Sequence, residues 1–380
     1  RVALSGIQHP DKAAPFLGGC YQRREGRIAA VGGRDPGEGL SIHIGLLFPF
    51  FKRAKEWENF AMDKLFEQLD AQIFADGFQQ ELTTNYHQVV VNNYEDVLLI
   101  YKKTGKQPKK EMLAALESMY NIYPHIVKPD LNVPNLNDGA DFNTSLTLAR
   151  ATDFFPQRED FLYLKTGRKE GKEPEILSNI LPYSGYVTFR SDWSKDAFWC
   201  LFNAARFGFG HQHEDKLEVL IHAYGEYLLP EAGRAAYDGS KLFNYSLLTN
   251  GHNTVMTDGL SQRCRDHSRW DPAVLNTPAD VYFNSQDYFD CAEACYDQNY
   301  GEQNVKVKHN RRVIWLKNPE GTNPLVVTVD RMYNLEDYLH KYTAIWHFAD
   351  GDYNFSDREF SVKTQSGVGI KMIHTLDSTQ

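Results

Sequence analysis

Three histidines and an acid with metal-ligating side chains stand close together in the second half of the chain. His211 and His213 are separated by one residue, Glu231 lies in an acid–Ala–Gly turn, and His252 begins the tripeptide His-Asn-Thr. Because alternate side chains of a strand share a face, we expect His211 and His213 to point the same way. Imidazoles joined by a carboxylate from a neighbouring strand form a nitrogen and oxygen donor set, which predicts a metal site.

The segments around these residues have the character of strands. Apolar residues of Leu217 to Ala223 and of Tyr224 to Leu229 occur in short runs bounded by Gly and Pro, which is typical of core or half-buried strands. Similar runs follow one another from Leu181 onward, so we predict an antiparallel β-sandwich rather than βαβ units. The expected strands are GYVTFRS, AFWCLFNAA, KLEVLIHAY, NTVMTD, DVYFNS, KHNRRVIWLK, LVVTVDRMY and YTAIWHFA.

The first half of the chain is predicted to be helical. Apolar residues recur at three- and four-residue steps from Phe50 to Ile73, which indicates a long amphipathic helix. A second helix is expected from about Tyr86 to Lys103, and a third from Pro108 to about Tyr123, closed by Pro124. A short helix is expected from Thr144 to Phe155.

The expected fold class is therefore α+β, with helical hairpins followed by an antiparallel sandwich. Residues 1–44 are rich in Gly and charge without an apolar period, which predicts an irregular segment. The helical domain is expected over residues 45–170 and the sandwich over residues 178–380, with a charged linker at 166–176 between them.

Composition and net charge argue against some classes of function. A chain of 380 residues with 42% hydrophobic residues can bury a large core, and its net charge of −9 argues against a nucleic-acid partner. A polyanionic ligand would need positive groups collected locally. No apolar run is long enough to span a membrane, and the polar first residues predict no signal peptide, although the chain does not begin with Met. The five scattered cysteines predict free thiols rather than a disulfide framework.

Several other catalytic patterns do not fit their required context. A Gly-rich phosphate loop, a nucleophile elbow and a zinc-binding HExxH helix are not found where they would function. HQHED lies in a predicted strand and lacks the helical i, i+4 histidine spacing of a zincin. A glycoside hydrolase would need two carboxylates flanking the scissile bond. Glu214 and Asp215 are neighbours in a predicted strand and would face opposite sides, which argues against that pair.

A set of separated segments occurs in the same order as in a known family. FPFFKRAKEW is similar to an FPEFK-type helix, ADGFQQELTTNYHQVVV to a DGxxxExxxxYH segment, and LPYSGYVTFR to the entry into a sandwich. GHQHEDKLEV is similar to GHxHxDKL, LLPEAG to an acid–x–Gly turn, and NGHNTVMTDG to a His-Asn-Thr strand. Together, over roughly residues 46 to 260, they resemble the heparinase II/III-like polysaccharide lyases, which include alginate and heparan-sulfate lyases.

This resemblance implies an incomplete α/α toroid followed by the sandwich, and cleavage of a uronic-acid glycan by β-elimination. The reaction removes the weakly acidic C5 proton, neutralises the adjacent carboxylate and protonates the departing O4. A tyrosine can serve as base or acid when its neighbours lower its pKa from about 10. By motif, Tyr86 is the principal base or acid and His211 is its partner. Tyr237 is the candidate second tyrosine, with Tyr245 as its rival.

The resemblance also implies a structural divalent metal held by His213, Glu231 and His252. Zinc is the expected ion and calcium the alternative, and the ion would brace the strands that carry His211 and Tyr237. The family acid is usually Asp. Glu231 is one methylene longer, which would shift the metal or abolish its binding.

Substrate contacts are expected at Glu81, Asn85, His87 and Tyr245. Glu81 has an alternative role at the start of a helix, where its charge favours the helix dipole, and we favour that role. His87 has an alternative role as a structural histidine. Asp138 and Asp141 either line the site or form turns, and we favour turns.

One element of the family pattern is missing. The family places an Asn or His on a helix well before the catalytic tyrosine, where it neutralises the substrate carboxylate. The corresponding stretch here, AAVGGRDPG, contains neither residue. His43 and His87 are the nearest substitutes.

Two alternatives to a lyase remain open: a glycan-binding relative without activity, and a hydrolase-like enzyme on the same scaffold. The expected partner is an acidic polysaccharide or oligosaccharide, with no nucleic acid and no membrane, and the oligomeric state is left open. The family habit implies a bacterial periplasmic or secreted protein.

Overall fold

The computed structural model describes residues 45–264, 271–317 and 323–375 of the 380-residue chain. The predicted irregular segment 1–44, which includes His43, lies outside these residues. Among the described helices, none is both long and apolar enough to cross a bilayer. The four cysteines in the described part are free thiols, as expected: Cys200, Cys264, Cys291 and Cys295.

The chain divides into two compact units. One contains the described residues up to 73 together with residues 88–117, and the other contains residues 74–87 and those from 118 onward. The candidate site residues that the structure describes all belong to the second unit. The site is therefore described within that unit alone.

The first unit is built from helices. Helix α1 (Ala54–Gln72) buries Ala61, Leu65 and Leu69 on one face, as the apolar spacing predicts. Phe50 was expected in this helix, but it precedes it and is 76% exposed, because turns at residues 48–54 delay the start of the helix. Helix α2 (Thr84–Lys103) contributes its part from residue 88 onward, where the Tyr94 hydroxyl donates to the Leu65 carbonyl at 3.1 Å.

Helix α3 (Lys110–Ile126) extends past the proline that was expected to close it. Pro124 lies in the last turn, and the turn continues because Ile126 is buried and His125 Nδ1 lies 2.8 Å from Asn179 Oδ1. Tertiary contacts therefore override the helix-stop signal.

Short elements follow α3. Strands β1 (Asn132–Val133) and β2 (Phe142–Asn143) pair antiparallel. The single helix expected from Thr144 to Phe155 is instead two short helices, α4 (Thr144–Thr147) and α5 (Ala151–Phe154), because three-residue turns at 146–151 separate them. Helix α6 (Glu159–Lys165) precedes the sandwich.

The first layer of the sandwich is a five-stranded antiparallel sheet in the order β3-β4-β5-β6-β7. Its strands β4, β5 and β6 are buried along their whole lengths, which explains their nearly continuous apolar sequences. The strands are β3 (Asn179–Ile180), β4 (Tyr186–Arg190), β5 (Trp199–Asn203), β6 (Val219–Ala223) and β7 (Glu226–Leu229).

The chain then passes through helix α7 (Lys241–Leu247), a 3₁₀ turn (Thr249–Gly251), strand β8 (Val255–Thr257) and a second 3₁₀ turn (Pro272–Asn276). The side chain of Ser240 caps α7 by accepting from the Phe243 N–H at 3.1 Å.

The second layer is a four-stranded antiparallel sheet in the order β12-β11-β10-β9. Its inner face packs on the first layer, with Phe198 4.7 Å from Trp315 and Phe189 6.5 Å from Phe283 between ring centroids. The predicted α+β class with an antiparallel sandwich is confirmed. The strands are β9 (Val281–Ser285), β10 (Phe289–Tyr296), β11 (Val307–Leu316) and β12 (Leu325–Asn334).

Four more strands complete the described chain. β13 (Tyr342–Ala344) pairs with β8, and β14 (Asp352–Phe355), β15 (Glu359–Lys363) and β16 (Gly369–Ile373) form a separate three-stranded sheet. These last three strands and β10 were not among the expected strands.

The segment that carries His211 and His213 is a loop. Gly210, His211 and Leu217 have positive φ angles of 72°, 52° and 64°, which extended backbone does not adopt. The expectation that the two histidines share one face of a strand was wrong, and β6 begins only at Val219. Tyr224 and Gly225 likewise form the turn between β6 and β7, with φ angles of 53° and 82° typical of a type I′ hairpin.

Arg311 on β11 connects the second layer to the loops of the first. Its guanidinium is fully buried, pairs with Asp330 through two nitrogens, and donates to the carbonyls of Leu217 and Asn253 at 2.7 Å each. These carbonyls lie near the ends of the loops that carry His213 and His252. A buried guanidinium that hydrogen-bonds through all three of its nitrogens therefore fixes both loops to one strand.

Candidate active site and metal centre

Tyr86 and His211 lie face to face. Tyr86 is in the first turn of α2, and its ring stacks on the His211 imidazole with centroids 3.7 Å apart and 17° between planes. Both side chains are partly exposed, so they remain accessible to a ligand. The two residues that the sequence predicts to face each other are brought together.

Glu81 orients His211. Its buried carboxylate oxygen Oε2 lies 2.6 Å from His211 Nδ1. The carboxylate accepts the Nδ1 proton, which leaves Nε2 with the lone pair in the neutral ring. We favoured a role for Glu81 in stabilising the helix dipole, but its carboxylate instead contacts the His211 imidazole.

The loop before β6 is held to two other loops by buried hydrogen bonds. Phe209 N–H donates to the Gln80 carbonyl at 2.9 Å, and the Gln212 side chain donates to the Glu81 carbonyl. His213 N–H donates to Asn137 Oδ1 at 2.9 Å. These bonds stabilise the positive-φ conformation that turns His211 towards Tyr86 and His213 towards the interior.

Tyr237 completes a pair of tyrosines. Its hydroxyl lies 3.2 Å from the Tyr86 hydroxyl and donates to Asp138 Oδ2 at 3.0 Å. Because a hydroxyl has one proton and Tyr237 gives it to the carboxylate, Tyr86 must be the donor in the bond between the two tyrosines. Burial, the Tyr86 hydrogen bond and the Asp138 charge raise the pKa of Tyr237 well above its usual value. Tyr237 is therefore protonated at neutral pH.

A cation lies against this pair. The guanidinium carbon of Arg234 is 5.3 Å from the centroid of the Tyr237 ring, and the Arg234 side chain is exposed. A guanidinium offers planar paired donors that match a carboxylate. Arg234 was not recognised in the sequence, because an exposed arginine after a turn carries no signal of its own.

His213, Glu231 and His252 form one buried cluster. Each offers a ligand atom within 4.8 Å of the others, and each is buried. Glu231 Oε2 lies 3.2 Å from His252 Nδ1, and Glu231 Oε1 lies 4.0 Å from His213 Nδ1. The group expected from sequence is assembled with Glu231 in place of the family's Asp, so the extra methylene does not remove the carboxylate from the cluster.

The outer nitrogens of both histidines are engaged. His213 Nε2 donates to Asp138 Oδ1 at 3.1 Å, and His252 Nε2 donates to the Ser246 carbonyl at 3.1 Å. His213 Nδ1 is buried and has no hydrogen-bond partner among the described residues. A metal ligand histidine commonly donates its other ring N–H to a carboxylate or carbonyl, so the cluster fits a metal. Two imidazoles and a carboxylate are a donor set that zinc accepts.

Burial and neighbouring charges both shift the pKa values of the acids and of His252 in this cluster. Burial raises the pKa of Glu231, but the attraction of His252 outweighs it and lowers this pKa to about 2. Burial lowers the pKa of His252, but Glu231 and Glu218 hold it well above its usual value. Burial and the Glu231 charge raise the pKa of Glu218. Burial and the opposite charges of Glu231 and His252 therefore act against each other in this cluster.

Gly233 follows Glu231 at a point where no side chain fits. Its φ is 61°, and a Cβ placed there would lie 2.2 Å from Asn135 Nδ2. Asn135 in turn donates to the Glu231 carbonyl at 3.2 Å, and the Glu231 carboxylate accepts from the Gly233 N–H at 3.1 Å. The acid–Ala–Gly turn therefore positions the carboxylate through backbone contacts.

The positions of His87 and Tyr245 differ from those expected of substrate contacts. His87 is completely buried, accepts from the Gln79 N–H at Nδ1 and donates to the Met119 carbonyl from Nε2, so its predicted substrate contact was wrong and the structural alternative holds. Burial lowers the pKa of His87 to about 4. Tyr245 bonds to His347 Nε2, whereas Tyr237 is the tyrosine that reaches Tyr86.

The structure also places Asn85, Glu214 and Asp215. Asn85 is half-buried in the same helical turn as Tyr86, and its substrate contact stays a prediction. Glu214 and Asp215 lie in the loop before β6 rather than in a strand, and both are buried. The argument that strand geometry separates their side chains therefore does not apply.

The contacts of Asp138 could not be predicted from the sequence. It was expected in a turn, but it contacts both Tyr237 and His213. The NDGAD stretch looks like an ordinary polar loop, because its neighbours in space are far away in the chain. Asn137, which has a positive φ of 55°, holds the same position by accepting from His213 N–H.

Two family profiles cover most of the chain. Residues 39–163 match the Heparinase II/III N-terminus, and residues 174–367 match the Heparinase II/III-like, C-terminal domain. The chain belongs to the heparinase II/III family.

Curated relatives of this family include two heparin-sulfate lyases. That of Bacteroides stercoris is 30% identical over 223 residues, which cover 56% of this chain and 34% of the relative. That of Pedobacter heparinus is 28% identical over 227 residues, which cover 57% of this chain and 34% of the relative. The chain thus spans about a third of the length of these relatives.

Solved structures share the fold. A heparan sulfate lyase from Pedobacter heparinus superposes with a TM-score of 0.70 at 20% identity, covering 88% of this chain and 51% of that chain. A Heparinase III structure superposes with a TM-score of 0.69 at 16% identity, covering 88% of this chain and 52% of that chain. The arrangement of helices followed by a sandwich is thus that of the family.

Proposed function

We propose that this chain is a polysaccharide lyase that cleaves 1,4-linked uronic-acid glycans of the heparan sulfate type by β-elimination. The observation that carries the proposal is the stack of Tyr86 on His211, with the Tyr86 hydroxyl bonded to Tyr237. Membership of the heparinase II/III family and the names of the curated relatives support the same class of reaction.

The reaction needs two proton transfers. A base takes the C5 proton, the C5–H electron pair forms the C4=C5 double bond, and the C4–O4 bond breaks. The departing O4 takes a proton from an acid, so the products are an unsaturated uronate and a new chain end. A side chain on each side of the ring, or one that reaches both C5 and O4, satisfies this requirement.

His211 and Tyr86 are proposed to carry these transfers. The Glu81 contact leaves His211 Nε2 able to accept a proton, because Nδ1–H is held by the carboxylate. The Tyr86 hydroxyl, whose proton points to Tyr237, is the second group at the reacting ring. Tyr237 stays protonated and, as the acceptor of the Tyr86 proton, sets where the Tyr86 hydroxyl lies.

Arg234 is proposed to neutralise the substrate carboxylate. The chain carries a net charge of −9, so a uronate needs a local cation to bind. The exposed Arg234 guanidinium lies against the ring of Tyr237 and is one such cation. It would replace the Asn or His that the family motif leads one to expect earlier in the chain.

The metal centre is proposed to be structural and to hold zinc. A bound zinc ion would brace the loops that carry His213, Glu231 and His252, and the proton transfers need no group from it. Because heparan sulfate lies outside the cytoplasm, a periplasmic or secreted location follows from the proposed substrate.

The test is the ultraviolet absorbance of the C4=C5 unsaturated uronate, followed with heparan sulfate, chondroitin, hyaluronan and alginate. We expect absorbance to rise with heparan sulfate, and Tyr86→Phe to lower the rate at least about 10²-fold. Tyr288→Phe, at an exposed tyrosine between β9 and β10, is the matched control and should keep the rate.

Each other outcome contradicts the proposal. Binding of a glycan without any absorbance would favour the non-catalytic relative. New reducing ends without absorbance would favour a hydrolase. A Tyr86→Phe variant with the wild-type rate would remove Tyr86 from the mechanism.

A further inference from the structure

Asp138 uses both of its carboxylate oxygens in one buried bridge. Oδ2 accepts from the Tyr237 hydroxyl at 3.0 Å, and Oδ1 accepts from His213 Nε2 at 3.1 Å. The residue is only 3% exposed. The His213 end of the bridge is fully buried, so water does not compete for that donor, whereas Tyr237 is 47% exposed and its bond to Oδ2 is only partly buried.

The two donors belong to different parts of the site. Tyr237 bonds to Tyr86, and His213 directs its other nitrogen, Nδ1, into the buried cluster with Glu231 and His252. The chain of contacts from Tyr86 to the cluster thus runs through one carboxylate. Asp138 is 75 residues from His213 and 99 residues from Tyr237, so the link joins distant parts of the chain.

The backbone around Asp138 is fixed independently of the carboxylate. Asp138 N–H donates to the His211 carbonyl at 3.2 Å. Asn137 Nδ2 donates to the Leu82 carbonyl at 2.9 Å, and Asn137 Oδ1 accepts from His213 N–H. Replacing the carboxylate by an amide should therefore alter the bridge without displacing the loop.

We propose that Asp138 is a positioning residue that couples the metal centre to the tyrosine pair. With an ion bound at the cluster and His213 among its ligands, His213 Nε2–H would hold the Asp138 carboxylate, and the carboxylate would hold the Tyr237 hydroxyl where it accepts from Tyr86. Removal of that ion would loosen the His213 ring, and the orientation of Tyr237 would change with it. The catalytic consequence rests on the proposed lyase function, whereas the mechanical link between ion and tyrosine does not.

The link is tested without turnover by following the ring resonances of Tyr237 in protein labelled with ¹³C-tyrosine. Tyr237→Phe assigns the signal. We expect chelation of zinc to shift the Tyr237 signal in the wild-type protein and readdition of zinc to restore it. In Asp138→Asn the shift on chelation should be absent, because the amide nitrogen only donates and one of the two donors loses its acceptor.

Zinc affinity and kinetics give two further readouts. Asp138→Asn should weaken zinc binding about 10- to 100-fold in competition with a chromophoric chelator, because the carboxylate partner of a ligand histidine is lost. On heparan sulfate kcat should fall with KM nearly unchanged. Asp141→Asn, in the same loop with an exposed carboxylate, is the control and should change neither quantity.

The outcomes separate the two proposals. If chelation of zinc does not shift the Tyr237 resonances in the wild-type protein, the coupling is overturned. This result does not depend on whether Asp138→Asn folds. A shift that persists in Asp138→Asn, or zinc affinity equal to wild type, overturns the role of Asp138. If no glycan is cleaved but the Tyr237 shift depends on zinc and on Asp138, the lyase function fails and the coupling stands.

Discussion

Glu81 Oε2 lies 2.6 Å from His211 Nδ1, although the two residues are 130 positions apart in the chain. The imidazole so held stacks on Tyr86 at 3.7 Å between centroids. One carboxylate therefore sets both the tautomer and the plane of the histidine that faces the tyrosine.

Glu81→Gln should lower kcat by about 10-fold or more with a smaller change in KM. The amide keeps the shape but loses the charge that holds the Nδ1 proton, so His211 samples the wrong tautomer and plane. Steady-state kinetics on heparan sulfate measure the effect. Glu170→Gln, at an exposed loop residue, is the control and should change neither kcat nor KM. Equal kinetics for both variants would show that His211 does not need Glu81.

Arg234→Ala should raise KM for heparan sulfate about 10-fold, because the uronate loses its paired donors. Arg234→Lys should recover part of the loss, since the charge remains but the fork geometry does not. The same change at the exposed Arg358 is the control for a general loss of positive charge. If both alanine variants raise KM equally, Arg234 attracts the polymer only through its net charge.

Removal of the metal should lower the melting temperature. An ion that binds only the folded state at 100 times its Kd stabilises that state by about 2.7 kcal/mol, which corresponds to several degrees. Differential scanning fluorimetry with and without a chelator measures the change. In His213→Ala the chelator should have no effect, whereas His374→Ala, at an exposed histidine, should respond like the wild-type protein. An unchanged melting temperature after chelation of the wild-type protein would show that the cluster binds no ion.

The buried His87 should make the protein less stable in acid. Its pKa is about 4 in the folded state and about 6.5 in the unfolded state, so the unfolded chain binds more protons between these values. Its contribution is therefore fully present above pH 6.5 and is lost as the pH falls towards 4, by about 3 kcal/mol. Urea unfolding at several pH values measures the slope.

His87→Gln should flatten that slope by close to one proton. The glutamine can still donate to the Met119 carbonyl, so the folded state is kept while the titrating group is removed. His222, whose pKa burial also lowers to about 4, should account for part of the slope that remains. A slope in His87→Gln that equals wild type would mean that His87 titrates normally in the folded protein.

Some features follow from sequence because they depend on local chemistry. The apolar period from Phe50 to Ile73 predicts a helix, because a helix places every third and fourth side chain on one face, and the structure has that helix over Ala54–Gln72. Short apolar runs after Leu181 predict a sandwich for the corresponding reason in strands. The residue types around His213, Glu231 and His252 predict a metal cluster because few other functions need that donor set together.

Backbone conformation at the histidines was decided by tertiary contacts. The alternation of His211 and His213 is compatible with a strand, and the sequence offers no reason to reject it. The observed loop, with positive φ at Gly210 and His211, exists because Asn137 and the Gln80 carbonyl, from other parts of the fold, accept from its buried N–H groups. The sequence pattern therefore identified His211 and His213 but predicted the wrong backbone conformation for them.

The sequence by itself determined the family and the order of helices and sandwich, and it named Tyr86, His211, His213, Glu231 and His252 as candidate site residues. Tertiary structure decided that Tyr237 rather than Tyr245 reaches Tyr86, that Glu81 serves His211, and that His87 is a core residue. It also decided that Asp138 bridges the tyrosines and the cluster. These choices are contacts between residues far apart in the chain, and spacing along a sequence records periodicity within an element but not distance between elements.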